Sequence, residues 1–438
     1  TKGMGALQEM PQTEMFKTFT KASFTIERTE DIPHMMREAI HSALSGRPGP
    51  VFIELPFDVL FNAIDDPGYP EKVQIIPLEP EIGAIQQMFE ILRSAQRPVI
   101  MAGTQVYWDE GADALKALTD QTGIPVFTNG AGRGTLPMNH PNCFKSARGV
   151  ALKEADVIIL LGTQLDFRLK FGKDWSSEVK LIQIENDPDE LNHNRVADVA
   201  LCANSRLVLE ALSEGLQGMS YHEWLERIRA VETDKNKQLD EWMAIDTAPI
   251  NHFRMGKVLN DFIDDDTIII GDGGDIVSAC AKVIDLTFAG QWLDPGPLGC
   301  LGVGAPFAIA AKNLFPDKKV LIINGDGSFG LNGFEFDTAV RFNLPIVSIV
   351  GNDAGWGQIR TPQIGMVTEE RSIATQLTAL RYDKIVEAMG GYGEHVENPD
   401  EIYPALERAF AQDKPACINV ILDEKGMAKT GASTPYIV

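Results

Sequence analysis

The chain predicts an α/β protein of three doubly wound parallel-sheet domains, the first of them entered late and so N-terminally truncated. Three observations carry that expectation. A length of 438 residues corresponds to about three domains. Short apolar runs alternate with helical patterns along most of the sequence. Hydrophobic content of 44% with charged content of 23% marks a globular chain able to fill sizeable cores.

Residues 1–76 read as the C-terminal part of a domain. Met35, Met36, Ala39, Ile40 and Leu44 lie on one side of a helix over 32–44. The breaker Gly46-Arg47-Pro48-Gly49-Pro50 then separates it from a strand over 51–55. One helix and one strand are too few for a sheet core, and the chain opens on Thr1, so more of this domain is expected upstream. The proline-rich, charged segment 65–80 reads as a linker.

A middle domain follows over 77–220. Helices over 81–93 and 111–120 alternate with strands over 98–101, 124–127, 156–162 and 180–184. No GxGxxG follows these strands, so a structural role stands beside nucleotide binding. Arg168, Lys170 and Lys173 follow one strand and suit either a phosphate or a solvated face. Residues 221–250 read as a connecting helix and linker, and 251–438 as the last domain.

Charge and composition exclude several classes. A net charge of −23 with no compact basic run speaks against nucleic acid and anionic membranes as partners. No apolar run approaches the ~18 residues of a membrane span, and no signal peptide is visible, which predicts a cytoplasmic protein. The five cysteines form no CxxC pair and read as buried thiols. The seven histidines show neither HxxxH nor HExxH spacing, and none is assigned to a metal.

The most informative stretch is 325–357. It opens with Gly-Asp-Gly after the apolar run Val320-Leu321-Ile322-Ile323 and closes with Asn352-Asp353 after a second apolar run. One helix is expected between the two strands. In a parallel βαβ unit both strand ends reach the same edge, so Asp326 and Asp353, 27 residues apart, are expected side by side there. Backbone N–H groups at Gly325 and Gly327 can approach an anion, and Asn332 or the helix after it adds a positive dipole end. Two carboxylates beside such a cradle point to a divalent cation bridging to a diphosphate. Gly-Asp-Gly alone would read as an ordinary capped helix; the second acidic strand end favours the ligand.

Two further glycine-rich turns belong to the same picture. Gly271-Asp272-Gly273-Gly274 ends a strand over 267–270, and a turn over 294–304 leads into a helix over 305–312. Strand ends at 271, 325 and 351 are expected along one edge of one sheet. The ligand therefore needs a diphosphate, a cation and a body reaching toward Gly299. Neither GxxxxGK[ST] nor GxGxxG is present, so a P-loop or a nicotinamide site does not fit. Thiamine diphosphate meets all three requirements.

At these residues the chain resembles a known family. GDGSFGLNGFEFDTAVRFNLPIVSIVGND is similar to the cofactor motif of thiamine-diphosphate enzymes, in the branch of acetolactate synthase, benzaldehyde lyase and the 2-hydroxyacyl-CoA lyases. GDGGDIVSACAKV, QWLDPGPLGCLGVGAPFAIAAK and VGNDAGWGQI resemble most closely the acetolactate-synthase-like 2-hydroxyacyl-CoA lyases, while LQEMPQTEMFKTFTKASF and LSGRPGPVFIELPFDVL are near the benzaldehyde-lyase pattern. The resemblance covers essentially the whole chain and is more specific for cofactor than for substrate.

Carried over residue by residue, the resemblance implies Mg²⁺ held by Asp326, Asp353 and the Gly355 carbonyl. Asparagine is usual at the second position; an aspartate adds negative charge beside the diphosphate. Gly327 and Ser328 would donate to the diphosphate, as would Asp272, Gly273 and Gly274 through their backbone. The Gly299 carbonyl would accept the aminopyrimidine, and Leu301 would be the apolar wedge that bends the cofactor, unless it is simply a core leucine. Gln8 and Trp356 would face the substrate pocket, with packing roles as the alternative. No residue here matches the family's activating glutamate, which lies in the N-terminal pyrimidine domain; neither Glu9 nor Glu14 is given that role.

The implied activity is a carbon–carbon lyase and carboligase on 2-hydroxyacyl-CoA or acyloins, with aldehydes as partners in the reverse direction. Two alternatives stand beside it: an acetolactate-synthase-like decarboxylating carboligase on pyruvate or another 2-oxo acid, and a non-catalytic cofactor-binding relative. The resemblance further implies a homodimer or homotetramer, with ADP, CoA or FAD in the middle domain.

Overall fold

The computed structural model describes residues 3–427, so the outermost residues of the expected domains 1–76 and 251–438 lie outside it. Three parallel sheets follow one another along the chain, of two, six and six strands. That is the predicted α/β architecture.

In the N-terminal part, strand β1 (Ala22–Thr25) pairs in parallel with β2 (Val51–Glu54), and the crossover is helix α1 (Ile32–Leu44). The helix has the predicted bounds. The expectation of a single strand falls short because β1 reads Ala-Ser-Phe-Thr, with too little apolar alternation to register.

The middle sheet is ordered β5-β4-β3-β6-β7-β8, comprising β3 (Pro98–Ala102), β4 (Val126–Thr128), β5 (Cys143–Phe144), β6 (Val157–Leu161), β7 (Lys180–Glu185) and β8 (Val199–Cys202). Strands β3 and β6 are buried at every position, as expected of parallel strands covered on both faces. Helix α2 (His222–Met243) leads away from this sheet and buries Trp224, Leu225, Ile228 and Val231 in its core.

The third sheet is ordered β10-β9-β11-β12-β14-β13, with β9 (Thr267–Asp272), β10 (Trp292–Leu293), β11 (Lys319–Gly325), β12 (Val347–Asn352), β13 (Tyr392–Val396) and β14 (Ala416–Ile421). Leu321, Ile322 and Ile323 of β11 are fully buried, each such side chain contributing about 1.5–3 kcal/mol of hydrophobic stabilisation. Register pairs Asn324 with Asp272 and Gly325 with Gly351, so the three glycine-bearing strand ends are neighbours on one edge.

One local expectation is corrected. Two helices, not one, join β11 to β12: α3 (Asp326–Asn332) and α4 (Glu335–Arg341). The first begins directly at Asp326, well before Asn332. The Asn332 side chain instead donates to the Gly302 carbonyl at 2.8 Å, tying this helix to the glycine-rich turn.

Candidate functional site

The edge formed by β9, β11 and β12 opens into a cavity of about 1520 Å³. Strand order reverses beside β9, with β10 on one side and β11 on the other, which is where an open α/β sheet leaves a crevice at its carboxyl ends. The two backbones meet closely there. A Cβ built on Gly273 would lie 2.8 Å from the Gly325 nitrogen, so glycine is needed at that crossing.

Asp326 and Asp353 both line the cavity and are nearly excluded from solvent. Asp326 accepts from the Gly327 N–H at 2.7 Å and from the Gly355 N–H at 3.0 Å, which links the first strand end to the turn after the second. That turn carries Ala354 at φ 52°, a left-handed conformation costly for a residue with a Cβ, and it is pinned from outside. Leu377 and the Gln376 side chain donate to the Ala354 carbonyl, and the Trp356 N–H donates to the Thr375 carbonyl at 2.8 Å.

Burial makes these acids hard to ionise. Desolvation pushes the Asp326 carboxyl up to about 6, against opposing hydrogen bonds from Gly327 and Gly355. Asp353 rises to about 7, first through desolvation and then through the charge of Asp326. Asp275, on helix α5 (Asp275–Val283) just after the Gly273-Gly274 turn, rises to about 6 for the same first reason. Among the described residues no three His, Cys, Asp or Glu side chains are arranged to hold a metal by themselves. Two carboxylates with a backbone carbonyl nevertheless suit Mg²⁺, which takes few protein oxygens and completes its shell with phosphate oxygens and water. The glycine-lined crevice and the desolvated acid pair therefore fit a cation with its diphosphate.

The remaining expected residues fall into groups. Gly273, Gly274, Gly299, Leu301, Gly327, Ser328, Gly355 and Trp356 all line the same cavity. Gly299 has φ 62°, and a Cβ there would meet nothing within 4 Å, so its position faces open space. Trp356 packs against Gly327, where a Cβ would lie 2.6 Å from the indole. The Ser328 hydroxyl donates to the Asp272 and Gly325 carbonyls, so it serves the turn itself.

Asp272 stands apart from this lining. Its buried carboxylate accepts from the Gly302 N–H at 3.0 Å and the Gly304 N–H at 2.7 Å, clamping the end of β9 to the loop that carries Gly299 and Leu301. Gln8 lies outside the cavity lining on an exposed turn at φ 63°. Cys300, expected to be buried, is exposed between Gly299 and Leu301; all five cysteines are free thiols.

Arg360 escaped sequence reasoning. It lies on helix α6 (Gly357–Val367), buried, and its guanidinium donates to Asp353 Oδ2 at 3.2 Å. The available signal was an acid where asparagine is usual, with Arg360 the first basic residue after it.

The middle domain lines the cavity with loop and helix residues, among them a group of basic side chains beside Asp174, and Lys145 is paired with Asp285 at 2.6 Å. Arg133, Lys145, Arg148, Arg168, Lys170 and Lys173 make up the basic group. Burial depresses the Arg148 guanidinium, and the like charges of Arg133 and Arg168 depress it further. Arg168 is paired with Asp166 at 2.6 Å and Lys170 with Asp174 at 2.6 Å. A smaller crevice of about 160 Å³ lies at the carboxyl ends of the middle sheet and is lined by Arg47, Asn129, Thr163 and Glu185 among others. Among the described residues Asn129 Nδ2 and Glu185 Oε1 are buried there without a hydrogen-bond partner, and burial raises the Glu185 carboxyl to about 8.

Comparison with known proteins agrees with this geometry. Residues 272–420 match the family model described as "Thiamine pyrophosphate enzyme, C-terminal TPP binding domain", and residues 85–212 match its central domain. A probable acetolactate synthase of Mycobacterium bovis is 36% identical over 424 residues, covering 96% of this chain and 77% of the relative. The 2-hydroxyacyl-CoA lyase 2 of Caenorhabditis elegans is 33% identical, covering 96% of this chain and 73% of its own. The 2-hydroxyacyl-CoA lyase 2 of Homo sapiens is 32% identical, covering 95% and 73%.

Proposed function

This chain belongs to the thiamine pyrophosphate enzyme family, and from that premise we propose that it is a Mg²⁺-dependent carbon–carbon lyase and carboligase acting on 2-hydroxyacyl-CoA or acyloin substrates. The observation that carries the reading is a single cavity lined both by the Asp326–Asp353 pair and by a group of basic residues from the middle domain. The acid pair suits a cation and diphosphate. The basic group suits a substrate that is itself polyanionic, as a CoA thioester is.

When bound, thiamine diphosphate supplies a nucleophilic carbon that adds to a carbonyl and then takes up the electron pair of the broken carbon–carbon bond. The chain's own residues position and shield. Asp326, Asp353 and the Gly355 carbonyl would hold Mg²⁺. Backbone at Gly273, Gly274 and Gly327 would receive the diphosphate, beside the turn that Ser328 braces. The Gly299 carbonyl and Leu301 would orient the rings, through a loop held in place by Asp272. Leu301 and Trp356 would keep water from the reacting carbon. In the middle domain, the crevice at Asn129 and Glu185 would take the nucleotide part of a bound ADP, CoA or FAD.

Identity to a probable acetolactate synthase favours a second reading, a decarboxylating carboligase on pyruvate or another 2-oxo acid. Assays of benzoin, a 2-hydroxyacyl-CoA and pyruvate with thiamine diphosphate and Mg²⁺ separate the two. Cleavage of either of the first two supports the lyase, and turnover of pyruvate alone excludes it. Tight cofactor binding with no turnover of any of the three would identify a non-catalytic relative. We further propose a homodimer or homotetramer, because Leu331, Phe334 and Phe342 are exposed on or beside the two helices that follow Asp326. A monomeric mass by light scattering would contradict it.

A further inference from the structure

Arg360 is an unusual neighbour for a cation site. Its side chain is about 10% exposed and is fixed by three acceptors: Asp353 Oδ2 at 3.2 Å, the Glu424 carbonyl at 3.1 Å and Gln376 Oε1 at 3.3 Å. The Glu424 carboxylate, half-exposed, lies 3.9 Å away at the rim. Among the described residues Asp353 is thus the only buried carboxylate to which the guanidinium bonds. The guanidinium also packs against the Cα of Gly355, where a Cβ would collide with Nη1. Gly355 supplies the third of the expected metal-holding oxygens, so Arg360 braces two of the three positions at once.

Charge explains why that arrangement is useful. An aspartate at position 353 brings a full negative charge to a place where a neutral amide would provide the same oxygen. Beside a diphosphate and with Asp326 already present, that extra charge repels the ligand the site is built to hold. A buried, permanently charged arginine at hydrogen-bond distance cancels it while leaving the oxygen in place.

We propose that Arg360 is a positioning residue that makes Asp353 electrostatically equivalent to a neutral ligand, so that Asp353 and Arg360 act as one unit in admitting Mg²⁺ together with a diphosphate. The proposal rests on the metal reading given above. It predicts opposite effects on the metal alone and on the metal with diphosphate. Removing the guanidinium frees a carboxylate, so bare cation binds more tightly. The same change leaves uncompensated negative charge, so diphosphate binds more weakly.

The test is a double-mutant cycle on the full chain, with Mn²⁺ alone read by electron paramagnetic resonance and inorganic diphosphate in saturating Mg²⁺ read by calorimetry. R360Q tightens Mn²⁺ severalfold and weakens diphosphate by roughly tenfold, the size expected of residues coupled in one network. D353N weakens Mn²⁺. D353N/R360Q returns both affinities to within about threefold of wild type, and R360K, which keeps the charge, stays near wild type. Should R360Q fail to fold, the double variant and R360K still decide the matter. Weakening of both ligands by R360Q, or a D353N/R360Q variant that binds diphosphate no better than R360Q does, overturns the proposal and shows Arg360 as a mere tie between α6 and its neighbours. Wild-type protein that takes neither Mn²⁺ nor Mg²⁺-diphosphate overturns the metal reading, and this proposal with it; a wild type that binds both, with a double variant no closer to wild type than R360Q, overturns this proposal alone.

Discussion

Two six-stranded parallel sheets in this molecule share a plan and diverge at their strand ends. In each, strand order reverses beside the first strand, and a crevice opens at the carboxyl edge. In the middle sheet the reversal lies between β3 and β6, where Gly103 and Gly162 touch backbone to backbone and no acid stands on either strand end. In the C-terminal sheet the neighbouring strand ends carry Asp272, Asp326 and Asp353. The fold supplies a crevice twice, and the residues at its lip decide what the crevice can hold.

The largest expected effect breaks that difference outright. Asp326→Ala or Asp353→Ala should abolish Mg²⁺-dependent thiamine diphosphate binding, a loss beyond the ~100-fold that follows removal of a residue that only orients a metal ligand. Calorimetry in Mg²⁺ and in EDTA measures it, and retained cofactor affinity would count against the assignment.

Next in size is a change that disturbs the middle crevice alone. A Cβ at Gly103 would collide with the Gly162 carbonyl and the Thr163 hydroxyl, so Gly103→Ala should cost about 1–3 kcal/mol by overpacking. Denaturant unfolding should show that loss while Mg²⁺ affinity stays at the wild-type value.

Asp272→Asn tests whether the third acid acts through the loop. It removes one of two charge-assisted acceptors for the Gly302 and Gly304 N–H groups, worth roughly 1–3 kcal/mol. Thiamine diphosphate should bind more weakly and Mg²⁺ alone should bind unchanged.

The smallest effect belongs to Glu185 in the middle crevice. Its carboxyl is raised from 4.5 to about 8 by burial, so the folded state holds a proton that the unfolded state releases. Stability from this group is therefore present at low pH and declines as pH rises through that window. Glu185→Gln should flatten the decline, raising Tm relative to wild type more at pH 9 than at pH 5; an equal change at both would refute it.

These experiments bear on what the sequence makes visible. Val320 to Ile323 and Val347 to Val350 register as strands because both faces of a parallel sheet are covered, leaving continuous apolar runs. The aspartates at their ends are legible from spacing alone, since a βαβ unit must bring them to one edge. Short edge strands such as Cys143–Phe144 and Trp292–Leu293 are not, because two residues carry no period. The split between α3 and α4 at Gly333-Phe334 does carry a signal, the turn-forming pair Asn332-Gly333, but reading Asn332 as part of an anion cradle hides it. Arg360 is hidden for another reason: its role depends on a contact made in three dimensions, and an arginine on a helix reads as solvated until its burial is known.

The central claim, that the C-terminal edge holds a divalent cation between two strand ends, is tested most directly by anomalous diffraction from crystals grown with Mn²⁺ and thiamine diphosphate. One anomalous peak is expected touching Asp326, Asp353 and the Gly355 carbonyl, at roughly the 2.1 Å of a small hard cation. A peak elsewhere, or bound cofactor with no metal at these three residues, would contradict it.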